Sequence, residues 1–253
     1  MWAKDRHHRI ISLLSVRDRI SIDELIADLG VSRESVRRDI AVLESEGKLI
    51  RFYGGVARPP TEGEPPLKAR MQANSDAKRR IGEMASRLIM PGMLCAVDSG
   101  STTHAFAKSL ATVPGITVVT NSINIATLIS AVPGSDLILV GGRVRLDMPG
   151  TYGELAMAEM ARYRPDIAFF STVALDAEYG ASSFHLPEAE FARAMLANAK
   201  RVVMLADSSK LGTLNRVQIC DCKRIHTLVT DKRAKASHLA SLRASGIAEI
   251  LLA

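Results

Sequence analysis

Aromatic side chains are scarce in this sequence. One Trp, four Tyr and six Phe make up 4% of 253 residues, too few for the rows of exposed rings on which single-stranded nucleic acid stacks. Cysteine is nearly absent. The odd set Cys95, Cys220 and Cys222 suits a reducing, cytoplasmic setting rather than a disulfide framework. Cys220-Asp221-Cys222 lacks the second ligand pair that a zinc site needs, so no metal and no cofactor is expected. No apolar run approaches the roughly 18 residues that span a bilayer. The amino terminus is polar from Lys4 to Arg9, unlike a secretory signal, and no membrane partner is expected. Nor is one sign of charge in large excess: 33 Lys+Arg against 27 Asp+Glu give +6, which is compatible with an anionic partner but selects none. What is plentiful is aliphatic. Hydrophobic residues reach 47% and charged residues 24%, the balance of a globular chain long enough for one large or two ordinary domains.

The texture breaks at residues 58–66, RPPTEGEPP, where four prolines, a glycine and two glutamates can continue neither helix nor central strand. This predicts an N-terminal domain over 1–57, a linker over 58–73 and a second domain over 74–253. In the first, Ile10, Ile11, Leu13 and Leu14 form one apolar stripe, and Ile22, Leu25, Ile26 and Leu29 a second. Gly30 ends that second helix, Ser32 is a good N-cap for a third, and Gly47 closes it. Two helices joined by a short Gly-containing turn make a helix-turn-helix. Residues 48–56 then read as a hairpin with Gly54-Gly55 at its turn, which adds a wing.

At helical spacing Val36, Ile40 and Leu43 face inward, so Glu34 and Arg38 lie opposite with Arg37 to one side. In a helix-turn-helix that outer face enters the major groove, where Arg donates to guanine, and Ser35 is short enough to reach a base edge. Arg6 and Arg9 on the first helix, and Lys48 and Arg51 on the wing, suit backbone phosphates. Ser32, Arg33 and Tyr53 complete the candidate DNA-binding set. Two features pull the other way. Glu34 and Arg38 are four apart and can pair on a solvated surface, and residues 1–57 carry ten Lys/Arg against nine Asp/Glu. By pattern alone, a helical protein-interaction module stays open.

The second domain alternates short β-branched runs with helical patterns, which predicts a mainly parallel sheet covered by helices on both faces. Ligands of such sheets sit beyond the carboxyl ends of the strands. There lie Asp98, Gly100, Ser101, Thr102 and Thr103 at a helix start suited to an anion, then Asn121-Ser122, Gly142 with Arg145, and Lys210. Taken alone, the first of these loops is better explained as an ordinary capped turn. Their number is what suggests a small polyhydroxylated anion, with Asp176, Glu188 and Glu190 available to sugar hydroxyls and His185 a polar contact at most.

The run RHHRIISLL, then SIDELIADLGVSRESVRRDIAVLESEGKLIRFYGGVA, resembles the DNA-binding domain of DeoR-type bacterial repressors. DSGSTTHAFA, VVTNS, LVGGRVR, PEAEFARAM and LADSSKLG resemble their sensor domain, so the likeness covers essentially the whole chain. It implies a winged helix-turn-helix followed by an α/β domain similar in fold to ribose-5-phosphate isomerase and glucosamine-6-phosphate isomerase/deaminase. The implied partners are double-stranded operator DNA and a phosphorylated sugar or polyol effector, and symmetric operators favour a homodimer or homotetramer. Tyr53 stands where a histidine is often found, and Ala192 where many members carry a lysine. The rival reading is a sugar-phosphate isomerase with an accessory helical domain, using Glu188 or Glu190 as base and Lys210 to stabilise an enediolate.

Overall fold

A computed structural model describes residues 2–17, 19–46, 48–52, 54–57, 64–145 and 148–253. The chain divides into two compact units, Met1–Gly63 and Glu64–Ala253.

The first unit runs α1 (Ala3–Val16), β1 (Arg19–Ser21), α2 (Ile22–Leu29), α3 (Arg33–Ser45), β2 (Ile50–Phe52) and β3 (Gly55–Ala57). The two apolar stripes converge with the inner face of α3, and Ile10, Leu14, Leu25, Val36, Ile40 and Leu43 form its core. Helix α2 opens with a reciprocal cap: the Ser21 hydroxyl accepts from the Glu24 amide while Glu24 accepts from the Ser21 amide. It ends at Gly30, whose φ of 63° only glycine adopts without strain. The wing has one more strand than the hairpin expectation. β1 pairs with β3, giving the antiparallel order β1-β3-β2. That strand explains Gly55, which is the first residue of β3 rather than part of the turn: a Cβ there would lie 2.5 Å from the Ile20 carbonyl oxygen.

The second unit begins with α4 (Leu67–Gln72) and α5 (Ser75–Ser86). The linker expectation over 58–73 therefore extends too far, because Glu64 and the helix from Leu67 already belong to this unit. There follow β4 (Leu94–Val97), α6 (Ser101–Leu110), β5 (Thr117–Thr120), α7 (Ile123–Ser130), β6 (Asp136–Leu139), β7 (Arg143–Arg145), β8 (Gly150–Tyr152), α8 (Glu154–Met160) and β9 (Ile167–Ser171). Next come β10 (Ala174–Asp176), β11 (Gly180–Ser183), α9 (Leu186–Ala197), β12 (Arg201–Leu205), β13 (Val217–Cys220), β14 (Thr227–Thr230), α10 (Ala236–Ala244) and β15 (Glu249–Leu252).

Seven strands form one parallel sheet in the order β15-β14-β12-β9-β4-β5-β6. Successive side chains on a strand point to opposite faces, so Cys95 and Val97 pack under α5, α6 and α7 while Ala96 joins the core under α8, α9 and α10. Phe106 meets Phe169 with ring centroids 4.3 Å apart. The chain enters at β4, runs outward through β5 and β6, then crosses back to β9 and continues the other way. The order therefore reverses between β4 and β9, and the carboxyl ends there border the crevice where such sheets bind ligands. Among the described residues, no helix is long and apolar enough to cross a membrane.

Candidate functional site

On the first unit, Ser32 caps α3 as expected, its hydroxyl accepting from the Ser35 amide at 3.2 Å. Arg33, Glu34, Arg37 and Arg38 are exposed and Ser35 is half-buried, so α3 presents the anticipated outer face. Much of its charge is engaged within the unit. Arg38 lies 3.7 Å from Glu34, Arg33 pairs with Asp23, Lys48 with Glu46 at 2.8 Å and Arg51 with Glu44 at 2.7 Å. These are solvated pairs of small net energy, which a phosphate can outcompete. Arg37 makes no ion pair among the described residues and borders the groove between α3 and the wing, beside Phe52.

Two further cations expected on phosphates are engaged with carboxylates of neighbouring helices. Arg6 donates through Nε and Nη2 to Asp39 at 2.6 and 3.0 Å, and the Asp39 side chain is only 5% exposed. This guanidinium neutralises a buried carboxylate and fastens α1 to α3, so it is a poor donor to DNA. Arg9 similarly forks onto Asp28 at 2.8 Å through both nitrogens, joining α1 to α2. Sequence spacing does not show either bridge, because each partner lies on another helix. Tyr53 lies outside the described residues.

The second unit gathers its polar groups at the carboxyl ends of the strands. Asp98 follows β4, and its Oδ2 accepts from the Ser171 amide at 3.1 Å. Its other oxygen, Oδ1, is buried with no well-formed hydrogen bond among the described residues, although the Thr103 hydroxyl acts on the carboxylate. Burial pushes this carboxyl up to about 7. Asn121 follows the adjacent β5; its amide donates to the Thr151 carbonyl at 3.1 Å, and its Oδ1 is likewise buried and unpartnered. The Tyr152 hydroxyl is a third such group, with burial raising its phenol well above the ordinary range.

Gly100 opens α6 without any side-chain cap, so the first amides of that helix remain available to an anion. A Cβ at Gly100 would sit 2.1 Å from Ser171 Oγ, which shows how closely the β4 and β9 loops approach. Thr103 is fully buried and donates to the Gly100 carbonyl at 3.2 Å, and Thr102 is buried too; both shape the turn. Ser122 is the N-cap of α7, accepting from the Ile125 amide at 3.3 Å. Gly142, at φ 141°, lets the Tyr152 carbonyl and the Ala156 methyl pack where a Cβ would strike them.

Cations complete the cleft, and two of them were not legible in the sequence. Lys78, buried on α5, donates to Ser101 Oγ at 3.1 Å and to the Arg70 carbonyl. Burial lowers its ammonium to about 8, and Lys210 and Arg70 add to that lowering through their charge. Lys210, at the end of the loop after β12, thus lies within electrostatic reach of Lys78. Arg70, on α4, forms an ion pair with Glu64. A helix read as linker concealed Arg70, and the span holding Lys78 carried no strand-end motif. Arg145 lies 3.5 Å from Glu188 and over the Tyr152 ring at 5.7 Å, while Ser183 donates to Glu188 at 3.2 Å.

Two expected contacts come out otherwise. Asp176 caps a turn, its Oδ1 accepting from the Glu178 and Tyr179 amides, so its carboxylate is engaged where the chain turns from β10 to β11. Glu190 follows Glu188 by two residues on α9, which turns it about 200° away; among the described residues it is Glu188 that meets Arg145 and Ser183. Ala192 is buried in the core. His185 does come close: it, Glu64 and Glu188 offer ligand atoms within 4.8 Å of one another. Both carboxylates already face a guanidinium, Arg70 or Arg145, which a divalent cation would have to displace.

The comparisons agree with this two-part organisation. Residues 6–62 match the family model for a DeoR-like helix-turn-helix domain, and residues 73–232 match that for the DeoR C-terminal sensor domain. The chain is 32% identical over 233 residues to the HTH-type transcriptional repressor GlcR of Bacillus subtilis, covering 92% of this chain and 90% of that one. It is 27% identical over 231 residues to the glycerol-3-phosphate regulon repressor of Escherichia coli K12, covering 91% and 92%. Among solved structures, ribose 5-phosphate isomerase A from Methanocaldococcus jannaschii aligns with a TM-score of 0.41 and 20% identity over 56% of this chain and 57% of that one.

Proposed function

The chain belongs to the DeoR family of DNA-binding transcriptional repressors, and on that footing we propose that it represses a carbohydrate or polyol catabolic operon under the control of a phosphorylated sugar or sugar alcohol. One observation carries the effector class. Asp98 Oδ1 and Asn121 Oδ1, at the ends of neighbouring strands, are buried acceptors with no well-formed hydrogen bond among the described residues, and buried polar atoms are ordinarily satisfied. Sugar hydroxyls are donors of the right kind. Beside them the open first turn of α6, Lys78 and Lys210 supply what a phosphate needs.

The DNA-facing residues are Ser32, Arg33, Glu34, Ser35, Arg37 and Arg38 on α3, with Lys48 and Arg51 on the wing. A homodimer or homotetramer would match the two halves of a symmetric operator. An effector changes DNA affinity only through unequal affinity for the DNA-competent and DNA-incompetent states, and coupling of about 1–3 kcal/mol corresponds to roughly 5- to 150-fold.

A thermal-shift screen of the full chain against phosphorylated sugars and polyols tests this reading. A ligand at about 100 times its Kd stabilises by about 2.7 kcal/mol. A hit that moves the midpoint of the wild type and not of Lys210→Ala supports the site. A panel without any hit, or hits indifferent to Lys210, would remove it.

A further inference from the structure

Glu64 lies within the Pro-rich break and is the first described residue after Ala57, and its carboxylate is not in solvent. Its side chain is 6% exposed and pairs with Arg70, itself largely buried. Lys210, His185 and Glu188 all act on it electrostatically, and it in turn acts on Lys78. A carboxylate carried by the incoming chain thus sits among the same cations that make the cleft suitable for a phosphate.

We propose that Glu64 is a tethered stand-in for the anionic group of the effector, holding Arg70 and facing Lys210 in the free protein, and that a phosphorylated effector binds by displacing it and so releases the backbone where the chain joins the sensor unit. The proposal rests on the cleft being the effector site.

Three features favour exchange over coexistence. First, Glu64 is poorly accommodated: desolvation and the nearby Glu188 both disfavour its ionised form, and a phosphate dianion alongside would add a stronger repulsion. Second, the cations are under-used by one carboxylate. Arg70 Nε is buried with no partner among the described residues, and a phosphate offers more acceptor oxygens to Arg70, Lys78 and Lys210 than a carboxylate can. Third, Pro65 and Pro66 follow directly and lead into α4. Each proline fixes its own φ and restricts the residue before it, so this short connection dissipates little of a displacement at Glu64. On its other side the chain continues to the DNA-binding unit.

Inorganic phosphate titrated calorimetrically into the full-length wild type, Glu64→Gln, Glu64→Ala and Lys210→Ala tests this, with amide hydrogen exchange followed in the peptide containing Glu64. The expected result is about tenfold tighter phosphate binding in Glu64→Gln and Glu64→Ala, and about tenfold weaker binding in Lys210→Ala. Phosphate should speed exchange at the Glu64 amide in the wild type, whereas Glu64→Gln should exchange fast without it. Equal affinity in the wild type and both Glu64 variants, with Lys210→Ala still weakened, overturns the displacement and leaves the effector site standing. Weaker binding in Glu64→Gln also overturns it, making Glu64 a ligand contact. Affinity indifferent to Lys210→Ala, or no binding by any variant, removes the site and the proposal together.

Discussion

Asp98 at the end of β4 accepts the backbone amide of Ser171 at the end of β9, at 3.1 Å. The bond spans the point where the strand order reverses. It orients one carboxylate oxygen toward the neighbouring loop and leaves the other buried without a well-formed hydrogen bond among the described residues.

That carboxyl makes stability depend on pH. Its ordinary value of 3.8 is raised by burial to about 7, so the unfolded chain gives up this proton first. Its contribution to stability is complete below about pH 4 and is lost as pH climbs through 7. Asp98→Asn keeps an acceptor for Ser171 without the charge. In urea unfolding it should match the wild type at pH 4 and exceed it by on the order of 3 kcal/mol at pH 8. A difference constant across that range would refute the desolvation of Asp98.

Arg38 and Arg6 should separate recognition from architecture. Arg38→Ala is expected to weaken specific operator binding by about 1–3 kcal/mol with little change in stability, since its pair with Glu34 is solvated. Equal loss on random duplex would make Arg38 a phosphate contact. Arg6→Ala strands the buried Asp39 with His7 as its remaining partner, and should lower the melting temperature of the DNA-binding unit by several degrees; unchanged melting would mean the Arg6–Asp39 bridge is not what joins α1 to α3.

Lys210→Ala should leave operator binding intact in a gel-shift assay while abolishing the response to an effector found by thermal shift. Lys78→Met should do the same, because it removes the cation at Ser101 and keeps the apolar stem. An unchanged effector dose–response in either variant would place that lysine outside the site.

Gly55→Ala puts a methyl group 2.5 Å from the Ile20 carbonyl oxygen, and backbone cannot rotate away as a side chain can. A destabilisation of about 1–3 kcal/mol is expected, read from urea unfolding. A neutral result would mean that the pairing of β1 with β3 is dispensable.

The periodic elements were legible because their physics is local. Apolar stripes at helical spacing located α1, α2 and α3, and β-branched runs marked six of the seven strands in the large sheet. β15 escaped because Ile250-Leu251-Leu252 is too short to separate from a helix end. β1 escaped because three residues, Arg19-Ile20-Ser21, are too few for their alternation to stand out. Arg70 and Lys78 looked like ordinary helix charges until packing buried them.

Residue order by itself determined where backbone amides are open and where hydroxyls and glycines follow strands, since capping and turn formation involve neighbours in the chain. Tertiary structure alone decided which charges are available. Whether an arginine reaches outward or neutralises Asp39, and whether Glu64 meets water or Arg70, depends on burial and on partners many residues away, and electrostatic energy follows distance and solvent exposure rather than position along the chain.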